Sequence, residues 1–249
     1  MKTSGKAGAA VLVLIALAGG ILGGIHFSKP GIPWSEQLPL EIKNLPGSAK
    51  LNRYIQEVAR TYPLDGSYPA LEAAKIAKNM GFTQDIYFGD KLVAKGNEDK
   101  SSHCSGLVLE VFIKAYERVN GFPAYAKLKI DGSDDPKNFE EFRKEFYGAN
   151  GNKRTVVDAL PKHGLGVEFK SFDEAEPGDF VQFWRHNQTG HCAIFQQWLT
   201  NDKQERIGIQ CFQTSRHTNG IAIRNEFFGS AGDMVDAGQL YLVRPVIRR

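Results

Sequence analysis

The sequence is poor in cysteine: its 249 residues contain three, Cys104, Cys192 and Cys211. Three cysteines are too few for a disulfide framework, and no two of them form the C-x-x-C pair that is typical of zinc sites. The sequence therefore predicts a domain whose core forms without a metal or disulfide staples, and it indicates no cofactor.

The sequence also lacks a strong excess of one charge. The formal net charge is +3, and no basic stripe with interleaved aromatic residues is present. Because nucleic-acid-binding domains usually carry such a stripe, we expect no nucleic-acid partner. Hydrophobic residues make up 42% of the chain and charged residues 24%, which is typical of a globular domain.

Asp, Glu, Lys and Arg are absent from residues 7–27, an apolar run that follows Lys2 and Lys6. A secretory signal peptide would be cleaved after Ala18, whereas a signal anchor would use the whole run to span a bilayer of roughly 30 Å. Both interpretations predict export: the chain is anchored in the inner membrane and faces the periplasm, or it is secreted after cleavage. Residues 28–47 contain four prolines and are predicted to form a linker.

The hydrophobic periodicity changes near residue 166. Before this point, apolar residues recur at helical spacing in several segments, and after it they alternate with polar residues in successive segments separated by turns. Helices followed by strands predict one α+β domain over residues 48–249, in which N-terminal helices pack on an antiparallel sheet.

The segment SSHCSGLVLEVFIKAY, residues 101–116, places a cysteine where a polar turn becomes an apolar helix. From Cys104 onward, the apolar spacing predicts one buried helix face. In the first helical turn, unpaired N–H groups and the helix dipole favour the thiolate, and the Cys104 N–H could bind an oxyanion. Ser105 and Gly106 would leave the approach to the sulfur open. The alternative is that Cys104 is a small core residue.

A thiol nucleophile needs a base, and His191 is the candidate because it begins the predicted strand HCAIFQQW beside a turn. The alternative is a surface histidine. The strand RIGIQCFQTS follows a tight turn and should pair with the first strand. If the isoleucine faces of the two strands coincide, Gln210 lies on the His191 face and its amide oxygen could accept the ring N–H. His217 is the second candidate for this orienting role.

The same register would place Cys192 and Cys211 together on the other face of the sheet. They could form a disulfide outside the cytoplasm or remain core thiols, and the sequence favours neither. In both cases Cys104 is left as a free thiol, as a nucleophile requires.

Several segments resemble one known family, the NlpC-type cell-wall cysteine peptidases of the papain-like superfamily. HCSGLVLEVF is similar to their nucleophile helix, and EPGDFVQFW followed by GHCAIF is similar to their Pro-Gly-Asp and histidine strands. IGIQCF is similar to the next strand, which carries a third polar residue. The resemblance implies a papain-like fold with Cys104 as nucleophile, His191 as general base and Gln210 as orienting residue.

The resemblance also has implications for the rest of the site and for the substrate. It implies that Tyr87 lies beside the oxyanion site, together with Ser105, and that residues 121–164 are an insertion. Members of this family hydrolyse amide bonds in peptidoglycan stem peptides, so an exported thiol hydrolase with a peptidoglycan substrate is expected. Two alternatives remain open: an acyltransferase or transamidase on the same fold, and a non-catalytic module that binds the cell wall.

Overall fold

The structure is a computed structural model in which residues 47–72, 75, 79–88, 90–119, 128–148, 151–169 and 171–247 are described. Its helices and strands follow in chain order. The helices are α1 (Gly47–Ala59), α2 (Cys104–Val119), α3 (Pro136–Tyr147) and α4 (Thr155–Lys162). The strands are β1 (Ile86–Phe88), β2 (Lys91–Ala94), β3 (Gly166–Glu168), β4 (Phe180–Arg185), β5 (Gly190–Thr200), β6 (Arg206–Ser215), β7 (Gly220–Phe227) and β8 (Val235–Pro245).

Six of these strands form one antiparallel sheet in the order β3-β8-β4-β5-β6-β7, and β1 and β2 form a separate hairpin. The six-stranded sheet has an apolar core on each face. The first core is shared with the helices and includes Ile194 and Phe212. The second core lies on the opposite face and includes Phe183 and Phe195. Because side chains alternate along a strand, neighbouring residues of β5 belong to different cores.

Helix α2 is the central helix of the first core. Its apolar stripe, including Leu107, Val111 and Phe112, is fully buried. Burial of each such side chain stabilises the fold by about 1.5–3 kcal/mol. Phe112 meets Phe180 of β4 edge to face, with 5.9 Å between ring centroids. The helix that begins at Cys104 is therefore rigidly mounted on the sheet.

A buried carboxylate in α2 fixes the loop that precedes the β1–β2 hairpin. Glu110 is fully buried and accepts hydrogen bonds of 2.7 Å from the Thr83 N–H, the Thr83 hydroxyl and the Tyr62 hydroxyl. A buried carboxylate is unfavourable unless it is paired and hydrogen-bonded, so these donors stabilise it. Their effect is to hold the loop around Gly81 against the first turn of α2.

Residues 128–148 and 151–165 include two helices that pack beside β4. Helix α3 begins after Asp135, whose side chain caps it, and ends at Gly148 with a left-handed φ of 74°. Gln182 of β4 fastens the start of α4, because its Oε1 accepts from the Val156 N–H at 3.0 Å and its Nε2 donates to the Lys153 carbonyl at 2.8 Å. The segment in which the sequence predicts an insertion is thus tied to the centre of the sheet.

The predicted fold class requires a correction, because it included an N-terminal membrane segment. The structure gives a mixed α/β fold with a six-stranded antiparallel sheet, and none of its described helices is long and apolar enough to cross a membrane. The longest, α2, has 16 residues and would span about 24 Å, less than the roughly 30 Å of a bilayer core. Residues 1–27 and most of the predicted linker lie outside the described residues.

Candidate active site

A cleft of about 250 Å³ opens where the start of α2 meets β4 and β5. Cys104 lines it from the helix, and His191 and Cys192 line it from β5. Tyr147 at the end of α3 and Thr155 at the start of α4 line it from the side of these two helices. The structure therefore brings together the predicted nucleophile and the predicted base.

His103 caps the helix that carries the nucleophile. Its Nδ1 accepts a hydrogen bond from the Gly106 N–H at 3.1 Å, and its backbone carbonyl accepts from the Leu107 N–H at 2.9 Å. Ser, Thr, Asp or Asn usually supplies the side-chain acceptor at this position, so an imidazole with an unprotonated Nδ1 takes their place here. The ring is buried against Gly81 and Tyr147. The sequence signal for this role is the histidine directly before the first apolar position.

The first turn of α2 lies unusually close to the loop at Gly81. A Cβ atom on Gly106 would lie 2.3 Å from the Gly81 carbonyl oxygen, so only glycine allows this approach. The same carbonyl accepts a hydrogen bond of 2.6 Å from the Ser102 hydroxyl. The position of the helix start, and hence of the Cys104 sulfur, is fixed by these contacts.

The pKa of the Cys104 thiol is lowered well below its ordinary value. The largest cause is a hydrogen bond with the Cys192 thiol. The charge of His191 and hydrogen bonds with His103 and His191 act in the same direction, while burial opposes them. Since Cys104 is the first residue of α2, the helix dipole also favours its anion. At a given pH, a larger fraction of Cys104 is therefore thiolate, the nucleophilic form, than of an ordinary cysteine.

Cys192 is the second thiol of the cleft. Its Sγ donates to the Ser105 hydroxyl oxygen at 3.7 Å, and the Cys104 Sγ lies 3.9 Å from the same oxygen. The hydrogen bond with Cys104, burial and the Cys104 charge raise the pKa of the Cys192 thiol well above its ordinary value. Cys192 therefore stays protonated when Cys104 ionises. Ser105 lines the cleft, and its hydroxyl contacts both sulfur atoms.

The disulfide that the sequence suggested between Cys192 and Cys211 is absent, since both are free thiols. Cys211 pairs with Phe195 across β5 and β6 and belongs to the second core. Cys192 belongs to the first core, on the opposite face of the sheet. The two thiols are separated by the sheet itself, which excludes a bond between them.

His191 lies opposite Phe183 of β4, and its ring packs on that side chain with 5.4 Å between centroids. The residue is 9% exposed. Its Nε2 is buried and has no hydrogen-bond partner among the described residues, and its charge and side chain are among the causes that lower the pKa of Cys104. A cysteine and a histidine that meet in one cleft have the arrangement of a nucleophile and its base.

The prediction that Gln210 orients His191 is wrong. Gln210 pairs with Gln197, accepts a hydrogen bond from it at 3.2 Å and donates to Asn225 at 3.0 Å. A β-bulge just before Gln197 shifts the register that the isoleucine pattern suggested, so Gln210 lies beside a part of β5 distant from His191. His217, the second candidate, is exposed in a 3₁₀ turn.

Gln213 lies on the His191 face instead. Its Nε2 donates to Glu226 at 2.8 Å, and Glu226 forms a buried ion pair of 3.0 Å with Arg185. The Arg185 guanidinium lies over the ring of Phe183, the same ring on which His191 packs. Gln213 is fully buried, and its Oε1 has no hydrogen-bond partner in the described part of the chain. The buried Oε1 of Gln213 on β6 and the buried Nε2 of His191 on β5 therefore lie on the same face of the sheet.

Tyr87 does not line the cleft, so the oxyanion role implied for it is not supported. In β1 the buried positions are taken by Ile86 and Phe88, and Tyr87 points outward with 52% of its surface exposed. Tyr147 lines the cleft instead and donates a hydrogen bond of 2.6 Å to the Met80 carbonyl. Burial raises the pKa of Tyr147 well above its ordinary value, so this tyrosine stays protonated.

Among the described residues, no group of three or more His, Cys, Asp and Glu side chains could hold a metal ion. Comparisons with protein-family models, with curated proteins and with solved structures give no match for this chain. Its function therefore has to be inferred from the chemistry of the cleft.

Proposed function

We propose that this protein is a thiol hydrolase that cleaves an amide bond through an acyl-enzyme. The observation that carries the proposal is the meeting of Cys104 and His191 in one cleft, with the cysteine at a helix start and its pKa lowered. A structural cysteine in an apolar core would instead have a raised pKa, as Cys211 does because of its burial.

The reaction begins at the Cys104 sulfur. His191 takes the thiol proton, and the thiolate attacks the carbonyl carbon of the substrate amide. His191 then returns the proton to the amine that leaves when the tetrahedral intermediate collapses, and a thioester remains on Cys104. Water, deprotonated by His191, attacks the thioester and releases the acid.

The first turn of α2 is the proposed oxyanion site. The N–H groups of Cys104 and Ser105 have no acceptor within the helix, because they lie in its first turn. The next two N–H groups, of Gly106 and Leu107, are already bound by His103. The free amides beside the sulfur therefore suit the negative oxygen of the tetrahedral intermediate.

Gln213 is the proposed orienting residue for His191. Its amide nitrogen is held by Glu226, which leaves Oε1 as an acceptor on the His191 face. A hydrogen bond between the two buried atoms would satisfy both of them, and an unpaired buried polar atom is unfavourable. In this arrangement the histidine would keep the nitrogen that faces Cys104 free to accept the thiol proton.

For the substrate we propose a peptide of the cell wall. The resemblance of HCSGLVLEVF and GHCAIF to the NlpC-type peptidases supports this choice, and so does the expected export of the chain. The cleft offers both apolar surface and hydrogen-bonding groups to a peptide, through Trp184, Tyr147 and Thr155.

The test is a digest of purified peptidoglycan with wild-type protein, Cys104→Ala and Cys211→Ala, followed by mass spectrometry of the released fragments. We expect new peptide ends with wild type and Cys211→Ala and none with Cys104→Ala, and these ends identify the scissile bond. Folded wild-type protein that binds the wall without releasing fragments would contradict hydrolysis and favour a binding module.

A further inference from the structure

The cleft contains a second thiol that amide hydrolysis does not require. Cys192 is 3% exposed and lies beside Cys104, and both sulfur atoms contact the Ser105 hydroxyl, at 3.7 and 3.9 Å. Two thiols that contact the same hydroxyl are neighbours, and neighbouring thiols can be oxidised to a disulfide.

We propose that Cys104 and Cys192 are a modification site at which a hydroperoxide produces a reversible disulfide, with Cys104 as the reacting thiol and Cys192 as the resolving thiol. The inference rests on the proposed function, since it needs a nucleophilic Cys104. It extends that function by giving the site an oxidised, inactive form from which activity can be recovered.

The chemistry proceeds in two steps. The Cys104 thiolate attacks one oxygen of the hydroperoxide, the O–O bond breaks, and the other oxygen leaves as water or an alcohol after it takes up a proton. The sulfur is thereby oxidised to a sulfenic acid and the peroxide is reduced. The Cys192 sulfur then attacks the sulfenic sulfur, the S–S bond forms, and the hydroxyl leaves with the Cys192 proton as water.

The geometry favours this pairing over other fates of Cys104. The two sulfur atoms lie 3.9 and 3.7 Å from the same hydroxyl oxygen, which places Cys104 and Cys192 side by side where α2 packs on β5. Disulfides tolerate only a narrow range of backbone geometry, and Cys211 lies on the opposite face of the sheet, where it cannot reach Cys104. Without a resolving thiol, a sulfenic acid oxidises further to forms that are not readily reduced.

The experiment treats the full chain with a slight excess of hydrogen peroxide, blocks the remaining thiols with an alkylating reagent and maps peptides by mass spectrometry without reduction. We expect a Cys104–Cys192 linked peptide in wild type and in Cys211→Ser. When alkylation is carried out in denaturant, so that every reduced thiol is accessible, we expect labelling of both residues to be lost and then restored by dithiothreitol. In Cys192→Ser, which keeps a hydrogen-bond donor, Cys104 should instead accumulate as sulfinic or sulfonic acid.

Two results would overturn the proposal. One is a wild-type protein in which Cys104 is oxidised to sulfinic acid as fast as in Cys192→Ser, with no linked peptide. The other is a link between different partners, such as two copies of Cys104. Circular dichroism of each variant shows that the comparison is made on folded protein.

The two experiments test the hydrolase proposal and the disulfide proposal independently of each other. A linked peptide in a protein that releases nothing from peptidoglycan supports the thiol pair and contradicts hydrolysis. Release of fragments by a protein that forms no linked peptide supports hydrolysis and contradicts the thiol pair.

Discussion

The His103 imidazole accepts a hydrogen bond from the Gly106 N–H at 3.1 Å, and this contact holds the first turn of the helix that carries Cys104. We predict that His103→Ala unfolds more easily than His103→Asn, by about 1 kcal/mol, because asparagine retains an acceptor at the helix start. Urea unfolding of the two variants measures this difference. Equal stability of both variants would show that the imidazole contributes packing alone.

The close approach of Gly106 to the Gly81 carbonyl predicts a second effect. Gly106→Ala should lower the free energy of unfolding by about 1–3 kcal/mol, because the neighbouring atom belongs to the backbone and cannot rotate away. Gly238→Ala in β8 is the matched control, since its new Cβ would lie 3.3 Å from a carboxylate oxygen at the end of the Asp236 side chain and not from backbone. A Gly106→Ala protein as stable as the control would contradict this close contact.

Gln213 and Gln210 provide a matched pair for the orientation of His191. If Gln213 holds the imidazole, Gln213→Met should lower kcat on the order of 100-fold with little change in KM, because the base loses its alignment while the substrate site is intact. Gln210→Met, next to Gln197 and Asn225, should retain wild-type kcat. Steady-state kinetics with a released peptidoglycan fragment as substrate would measure both. A larger effect from Gln210 would restore the original assignment.

Two substitutions of Tyr147 distinguish its contribution to stability from its contribution to substrate binding. Tyr147→Phe removes the hydrogen bond to the Met80 carbonyl and should lower stability by about 1 kcal/mol while KM stays unchanged. Tyr147→Ala removes part of the cleft wall and should raise KM several-fold. Thermal unfolding and KM are the two measurements. A Tyr147→Ala variant with wild-type KM would show that this wall does not contact the substrate.

The helices and strands that have a regular spacing of apolar residues could be predicted from the sequence. The helical spacing after Cys104 corresponds to α2, and the alternating segments after Gly166 correspond to β3 to β8. The same patterns made Cys104 and His191 candidates, because each begins a regular element, while the expectation that they meet came from the resemblance to the NlpC-type peptidases. These features depend on periodicity, which is a property of short stretches of chain.

The predictions that proved wrong concern residues whose positions depend on one backbone irregularity or on a contact between segments distant in the sequence. The bulge before Gln197 changes the partner of every residue beyond it, and hydrophobic alternation does not reveal a single inserted residue. For this reason neither the position of Gln210 nor the separation of Cys192 from Cys211 could be predicted. Tyr147 reaches the cleft from a segment far along the chain, and only the packed fold brings it there.

The central claim is that Cys104 is an activated nucleophile, and its alkylation by iodoacetamide as a function of pH tests it most directly. Because the pKa of Cys104 is lowered, its labelling should persist to a pH well below that needed for an ordinary thiol, and it should fall only when the pH drops below the lowered value. Cys192 and Cys211 should label poorly, since their pKa values are raised.

His191→Ala is the decisive variant in this measurement. It removes the imidazole, whose charged form favours the thiolate, so the midpoint of Cys104 labelling should move to higher pH. A Cys104 that is unreactive in folded wild-type protein, or that labels at the pH of an ordinary thiol with and without His191, would contradict the account.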